Sequence, residues 1–470
     1  MKKIIILILM VFLSACSFIN PEGSNIETPE TVKPPIYGKW VVTKYIYSDN
    51  LSNDNFMCKE IIGMDVLFAN KESFIAGEYI QGPIYKTKKI NLENYLYNKY
   101  NLNHEILSVE NKDAYAISIK QSDLGAYEII KVTEDKAFIF RNGFIFQISK
   151  SDGEIKDNEL SLAIASKKDE NIDASIETLG SKAESGLLLG LKIPDTSKLP
   201  TYNYKTIYIK FSDAGVENLY ESSNILLPRL DGFSEVEIQR LFKGNETTDN
   251  LIIKKRLDSI DESQTKEKPI QIEDRNVLKN IIYISDDIIN IENYDTNMGI
   301  KKLRIYEIDK LESKKALEVK DLIDPDKTQG ENLLDIENRL EDSINIGIFR
   351  QNGFWKLMGR NYNEEKNTYN DFDLNLVLPT SINKYNSLPI PMNEIKKFHS
   401  RIKDAFISPD NKFLITLEND MLKIYNIEKG DIIENPLFER EIGDNADIIM
   451  SQWAMGRYSR LWQKEISRKN

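Results

Sequence analysis

The spacing of hydrophobic and polar positions divides the chain into stretches that obey different rules. Behind Lys2 and Lys3, Ile4 to Leu13 form an unbroken apolar run that closes on Ser14, Ala15 and Cys16. A run of about ten residues suits a signal-peptide core and is half of the roughly 20 needed to cross a bilayer. Ser17 to Pro35 are rich in Pro, Glu, Thr and Ser, have no apolar period and end in Pro34-Pro35, which predicts a tether. From Ile36 the period becomes two. Trp40 and Val42 alternate in a first strand, Met64–Phe68 and Glu72–Ile75 form a hairpin, and Tyr115–Lys120, Tyr127–Thr133, Ala137–Arg141 and Phe144–Ile148 follow as short strands. Between them Leu92, Tyr95, Leu96 and Lys99 have helical spacing. They predict a short helix lying across a barrel mouth, either as a lid over a ligand cavity or as a plug.

Residues 151–185 turn polar apart from Leu160 to Ile164 and predict an interdomain connection, so a second domain is expected over 186–470. There the apolar segments are Leu187–Leu191, Thr206–Phe211, Ile225–Leu227, Val236–Phe242, Ile281–Ile284, Leu303–Ile308, Ile344–Phe349, Phe354–Met358, Phe372–Leu378, Phe413–Leu417 and Leu422–Ile427. Helical insertions are expected at Glu331–Asp342 and Pro391–His399. So many short strands between turn signals predict an all-β chain, a small barrel over 36–150 followed by a larger all-β body.

Three stretches, and the chain as a whole, resemble known families. Leu13-Ser14-Ala15-Cys16 resembles the lipobox of bacterial lipoproteins. The resemblance implies removal of residues 1–15, acylation of the Cys16 thiol with palmitate-type chains, residues 16–35 as tether, and a body held at the extracytoplasmic face of the plasma membrane. An ordinary secretory signal with a chance cysteine is the alternative. Gly38-Lys39-Trp40 resembles the first strand of lipocalin-like barrels. That resemblance implies that Trp40 closes one end of the barrel, with a late basic residue, here Arg141, packed on it.

Asp404 to Thr416, with its Ser408-Pro409-Asp410 turn, followed by Leu422 to Gly430, is similar to a blade of WD40-like β-propellers. It implies a propeller-like second domain, with a β-sandwich as the alternative. Asn224 to Phe233 and Asn345 to Phe354 match each other 121 positions apart (350 minus 229, counted between Arg229 and Arg350) and are expected to mark repeating blades, each turning through Asp231-Gly232 or Asn352-Gly353. No regular 40–50-residue repeat is visible beyond them. Through these features and the Trp453 to Trp462 ending, the chain resembles two-domain lipoproteins of clostridia-like bacteria, a likeness that implies organisation and no activity. The aromatic ending, set among Arg457, Arg460 and Lys464, is expected to seal the last blade or cap the domain or, exposed, to meet a partner.

Charge and chemistry narrow the picture further. The formal charge is −12, and loss of Lys2 and Lys3 with the first fifteen residues makes it −14. Such a surface argues against nucleic acid and against broad contact with anionic lipid. Only two cysteines occur; with Cys16 acylated, Cys58 has no partner, so disulfides do not hold the body together, and Cys58 is read as a small core residue. The histidines are His104 and His399 alone, and His104-Glu105 does not extend to the zinc-protease pattern. Asp324 to Gly330 places oxygens at alternate positions but fails the EF-hand pattern, and reads as a solvated turn. Asp371, Asp373 and Glu364 are carboxylates that an envelope-polymer hydrolase would use. No metal or other cofactor is expected. The expected function is therefore a monomeric, lipid-anchored envelope protein acting by binding, with a protein or small apolar ligand as partner; the alternatives are an apolar-ligand carrier working through the barrel and a hydrolase using those carboxylates.

Overall fold

The computed structural model describes residues 36–467 except 47–61, 76–77, 122–123, 142–143, 152–183, 196–200, 213–214, 230–231, 245, 257–267, 324–329, 364–367, 380, 384 and 429. The lipobox, the tether, Cys58, the Leu160 to Ile164 island, most of the 151–185 connection, the Asp324 loop and Glu364 lie outside the described residues.

The first domain is one antiparallel sheet. Its strands are β1 (Gly38–Ile46), β2 (Asp65–Phe68), β3 (Glu72–Ile75), β4 (Glu78–Gln81), β5 (Ile84–Asn91), β6 (Asp113–Gln121), β7 (Leu124–Lys131), β8 (Lys136–Arg141) and β9 (Phe144–Lys150). They run in the order β4-β3-β2-β1-β9-β8-β7-β6-β5 and curl into a half-barrel. The closure expected of a lipocalin-like barrel is not made among the described residues. β4 and β5, consecutive in the chain, are the two free edges, parted by a corner at Gly82-Pro83 where proline offers no N–H for a ladder.

Alternation along the strands gives both faces of the sheet a core. One face packs Trp40, Val42, Phe68, Ile117, Ile129 and Ile148 with their neighbours. The other packs Ile90, Ala116, Ile130, Phe138 and Phe140 under the helix α1 (Leu92–Tyr100). The helix is thus where its spacing predicts, but its buried Leu92 and Leu96 dock on the face away from Trp40, so it neither lids nor plugs the curl. Asn91 caps its start by accepting from the Asn94 N–H, and Asn101, at φ 53°, ends it with an N–H to the carbonyls of Leu96 and Tyr97.

The second domain has five blades. The first contains β10 (Ser185–Pro194), β11 (Tyr202–Ser212) and β12 (Gly215–Ser223); the second β13 (Ile225–Arg229), β14 (Gly232–Lys243), β15 (Glu246–Lys255) and β16 (Ile270–Glu273). The third contains β17 (Val277–Ile284), β18 (Ile288–Asp295) and β19 (Ile300–Glu307). The fourth follows the helix α2 (Gly330–Arg339) with β20 (Ile346–Gln351), β21 (Phe354–Asn363) and β22 (Thr368–Asp373). The fifth follows the helix α3 (Met392–Phe398) with β23 (Ile402–Ile407), β24 (Phe413–Glu418), β25 (Met421–Glu428), β26 (Asp431–Ile432) and β27 (Phe438–Glu441).

The chain then returns as β28 (Asp447–Met455), which pairs with β10 from Ser185↔Met455 to Lys192↔Asp447 and becomes the innermost strand of the first blade. This return closes the ring by backbone hydrogen bonds between the two ends of the domain. The propeller-like reading holds and the sandwich alternative falls. Strand β28 itself is absent from the sequence expectations, because its apolar run Ile448 to Met450 breaks into Ser451-Gln452 before Trp453.

The two matching stretches are the innermost strand and first turn of blades two and four, two blades apart. Asn352 and Gly353 both have positive φ, 51° and 82°, as an Asn-Gly hairpin turn requires. The shared arginine does one job in both: each ties its blade to the following one. Arg229 donates to the Asp286 carbonyl and pairs with Asp309. Arg350 donates to Asp404 at 2.9 Å and to the Ala405 carbonyl at 2.8 Å. Innermost strands are also edge strands, and side chains of the preceding blade satisfy their bare N–H groups. Thr206 Oγ1 accepts from Leu226 N at 2.8 Å, Asp249 Oδ2 from Lys279 N at 2.8 Å, and Asn290 Oδ1 from Ile348 N at 2.9 Å.

The helix α4 (Arg457–Ser467) folds back over blades one and two, with Tyr208 Oη donating to the Ser459 carbonyl at 2.6 Å and Trp462 set edge-on to Tyr208 and Phe233. The aromatic ending therefore caps the ring, as one of its two expected roles required.

Candidate functional site

An up-and-down blade puts all its second-to-third strand turns, and the entrances of all innermost strands, on one face of the ring. The half-barrel occupies the opposite face. Tyr97 of α1 donates to Asp373 Oδ1 at 2.7 Å, Lys356 pairs with Asp373 at 2.9 Å and lies 4.1 Å from the Tyr97 ring centre, and Asn101 reaches the Asn386 carbonyl at 3.4 Å. Burial, then the Asp373 charge, hold the Tyr97 hydroxyl well above the usual phenol range, so it remains a donor. With α4 also on that side, the turn face is the candidate site.

Its side chains form three polar clusters. In blade five Glu418, only 5% exposed, gathers Tyr425 Oη at 3.0 Å, Thr416 Oγ1 at 3.4 Å, Lys423 Nζ at 3.5 Å and His399 Nδ1 at 2.8 Å. Burial first, and Glu418 second, push the Tyr425 hydroxyl well up, keeping its proton on the oxygen that faces the carboxylate. His399 is the C-cap residue of α3, its backbone N–H donating to the Ile395 carbonyl, and it is partly exposed beside the Glu418 carboxylate.

Between blades three and four Arg360 forks onto Asp371, with Nε to Oδ1 at 2.6 Å and Nη2 to Oδ2 at 2.7 Å, and its third nitrogen reaches Glu292 at 2.6 Å. In blade two Arg240 forks onto the fully buried Asp249 and extends to Thr201 Oγ1 at 2.7 Å.

The residues singled out from the sequence do not converge. Gly38 needs its freedom for backbone reasons: its φ is 120°, while an added Cβ would approach only Lys150 Cε at 3.9 Å. Trp40 is buried and its indole N–H donates to the Ile36 carbonyl at 2.9 Å. Arg141 is not brought to it. Trp40 pairs with Lys150 and Ser149 with Lys136, whereas Arg141 lies opposite Phe144 at the other end of β8, roughly 17 Å along a strand at 3.4 Å per residue. The basic positions at the Trp40 end are Lys136 and Lys150.

Asp371 and Asp373 sit on β22 as expected but face different tasks, one held by Arg360 on the turn face and the other by Lys356 and Tyr97 at the half-barrel joint. His104 lies in a short 3-10 helix of the half-barrel, far along the chain and in a different domain from His399. The Glu418 cluster escaped the sequence reading, although the register carries its signal: Thr416 and Glu418 share one side of β24, and Lys423 pairs with Thr416 across the hairpin.

Among the described residues no group of three or more His, Cys, Asp or Glu side chains is set to hold a metal, and no helix is long and apolar enough to cross a membrane. Comparison with protein-family models finds no match, and comparison with curated proteins finds none either.

Proposed function

We propose that the chain is a lipoprotein held at the extracytoplasmic face of the plasma membrane through Cys16, and that it works there by binding, with the propeller as its platform. The observation that carries the reading is the order of Lys2-Lys3, the apolar run to Leu13, and small residues before a cysteine. Two features of the fold support binding over the alternatives. Asp371 and Asp373, the described carboxylates of the hydrolase reading, are each neutralised by a cation that also braces the architecture, whereas general acid-base work needs a carboxyl that reaches substrate. The concave face of the half-barrel is packed with its own side chains, from Trp40 to Tyr85. Burial pushes the Tyr85 hydroxyl up to about 12, and it is bonded to Ser73 and the Ala69 carbonyl. A filled curl favours a scaffold over a carrier.

The test is the mass of the mature N-terminus taken from membranes, together with the fractionation of a Cys16→Ser chain. The expected results are a chain that begins at diacylated Cys16 and a variant that leaves the membrane fraction with its melting point unchanged. A mature chain that starts elsewhere or carries no lipid overturns the reading.

A further inference from the structure

Two large apolar side chains on the turn face take no part in its polar clusters. Met298 is 72% exposed and Phe242 68%. Phe242 stands near the end of β14, just before the β14–β15 turn, and Met298 lies within the β18–β19 turn. Each turn contains a glycine in the left-handed region, Gly244 at φ 63° and Gly299 at φ 69°, and an added Cβ at either meets nothing within 4 Å. Space is therefore open beside both glycines, while the base of the Met298 turn is bonded to blade four, where Tyr369 Oη donates to the Gly299 carbonyl at 3.3 Å. The Met298 tip is also held in shape, because Asp295 Oδ1 accepts the N–H groups of Asn297 and Met298 at 2.9 and 3.0 Å. Since the two turns occupy the same place in neighbouring blades, the tips point from one sector of one face. It is the face opposite the half-barrel and α4.

We infer that the hairpin tips carrying Phe242 and Met298 are the propeller's contact with the lipid bilayer. The inference rests on the anchored reading of Cys16. The chain from Cys16 to Pro35 keeps the body within about 70 Å of the headgroups, a confinement that raises the occupancy of a contact that also forms from solution. The tips suit a bilayer better than a folded partner. Exposed polar neighbours, Lys243 beside Phe242 and Asn297 beside Met298, isolate each apolar side chain, so neither belongs to the continuous apolar patch that a protein interface buries. A fluid interface accepts such groups one at a time, and Lys243 and Lys302 are exposed beside the tips, with Glu246 opposite Lys243 and Lys301 turned to Glu292. Contact through two tips also avoids the repulsion that the acidic body would meet if it lay broadly on anionic lipid.

The test places a nitroxide at Met298→Cys, Phe242→Cys or, as a control on the opposite face, Leu461→Cys, each in the full-length lipidated chain with Cys58→Ser. The proteins are reconstituted in vesicles of equal phosphatidylglycerol and phosphatidylcholine. Collision with oxygen is compared with collision with a water-soluble nickel chelate. The expected result is an oxygen-to-nickel ratio several-fold higher at 298 and 242 than at 461. Equal, water-like ratios at all three overturn the contact. So does a slowed label with a water-like ratio, which would assign the tips to a protein surface. A preparation without lipid on Cys16 overturns the anchor alone; the same labels are then measured with vesicles added from outside, where water-like ratios overturn the contact and raised ratios sustain it.

Discussion

Asn290 offers the sharpest test of how the ring is held together. Its side chain is fully buried on β18 and makes two bonds: Oδ1 accepts from Ile348 N in the next blade at 2.9 Å, and Nδ2 donates to the Arg304 carbonyl at 3.0 Å. Gly347 makes the approach feasible, since a Cβ there would come within 2.9 Å of Asn290 Oδ1. Asn290→Ala leaves the buried Ile348 N–H without a partner, while the Arg304 carbonyl keeps Ile291 opposite it in the β18–β19 ladder. One such group costs about 1–3 kcal/mol. For a domain of this size that lowers the melting temperature by roughly 2–10 °C. Calorimetry measures the shift, and native-state hydrogen exchange at the Ile348 amide locates it. A melting point within about 1 °C of the parent, with Ile348 exchange unchanged, would refute the claim that side chains of one blade satisfy the edge of the next.

Two further outcomes follow from the same structure. In Gly186→Ala the new Cβ lies 2.1 Å from Tyr208 Oη and 2.6 Å from Cζ, so the ring must move and release its bond to Ser459. Overpacking of this kind costs about 1–3 kcal/mol. Limited proteolysis should then open α4, and adding Tyr208→Ala should make the double variant less impaired than the two losses combined; strict additivity would count against the clash.

The second concerns acid. The Lys210 ammonium, hydrogen-bonded to Glu184 at 2.5 Å, holds that carboxyl below its ordinary value of 4.5. A group depressed in the folded state contributes stability above its unfolded value and loses it as pH falls through the folded one. Glu184→Gln should therefore show a shallower fall in melting temperature below about pH 5 than the parent, and an unchanged slope would show that the pair contributes nothing to acid stability.

Local pattern carried much of the architecture. Alternation located most of the strands because each buries one side, and the Leu92–Tyr100 helix was legible from the spacing of Leu92, Tyr95, Leu96 and Lys99. The match between Asn224–Phe233 and Asn345–Phe354 was legible as well, and its arginines proved to be clasps between blades. The count of five was hidden, because the innermost strands begin at Ile225, Val277, Ile346, Ile402 and Asp447, with crossovers of unequal length between them. A period is visible only when insertions are uniform.

What the sequence determined by itself was whatever depends on neighbours along the chain: the β character, the apolar N-terminal run ending at Cys16, the Asn-Gly turn, and the Ser408-Pro409-Asp410 turn, where Ser408 Oγ accepts from Phe413 N at 2.9 Å. Tertiary structure alone decided whatever depends on residues far apart. It placed Glu418 beside His399, seated β28 against β10, left β4 and β5 as free edges, and separated Trp40 from Arg141. It also set the Phe242 and Met298 tips on one face. The reason is physical: a strand's period specifies which side chains turn inward, while the partner it pairs with is chosen by burial and hydrogen-bond satisfaction across the whole chain.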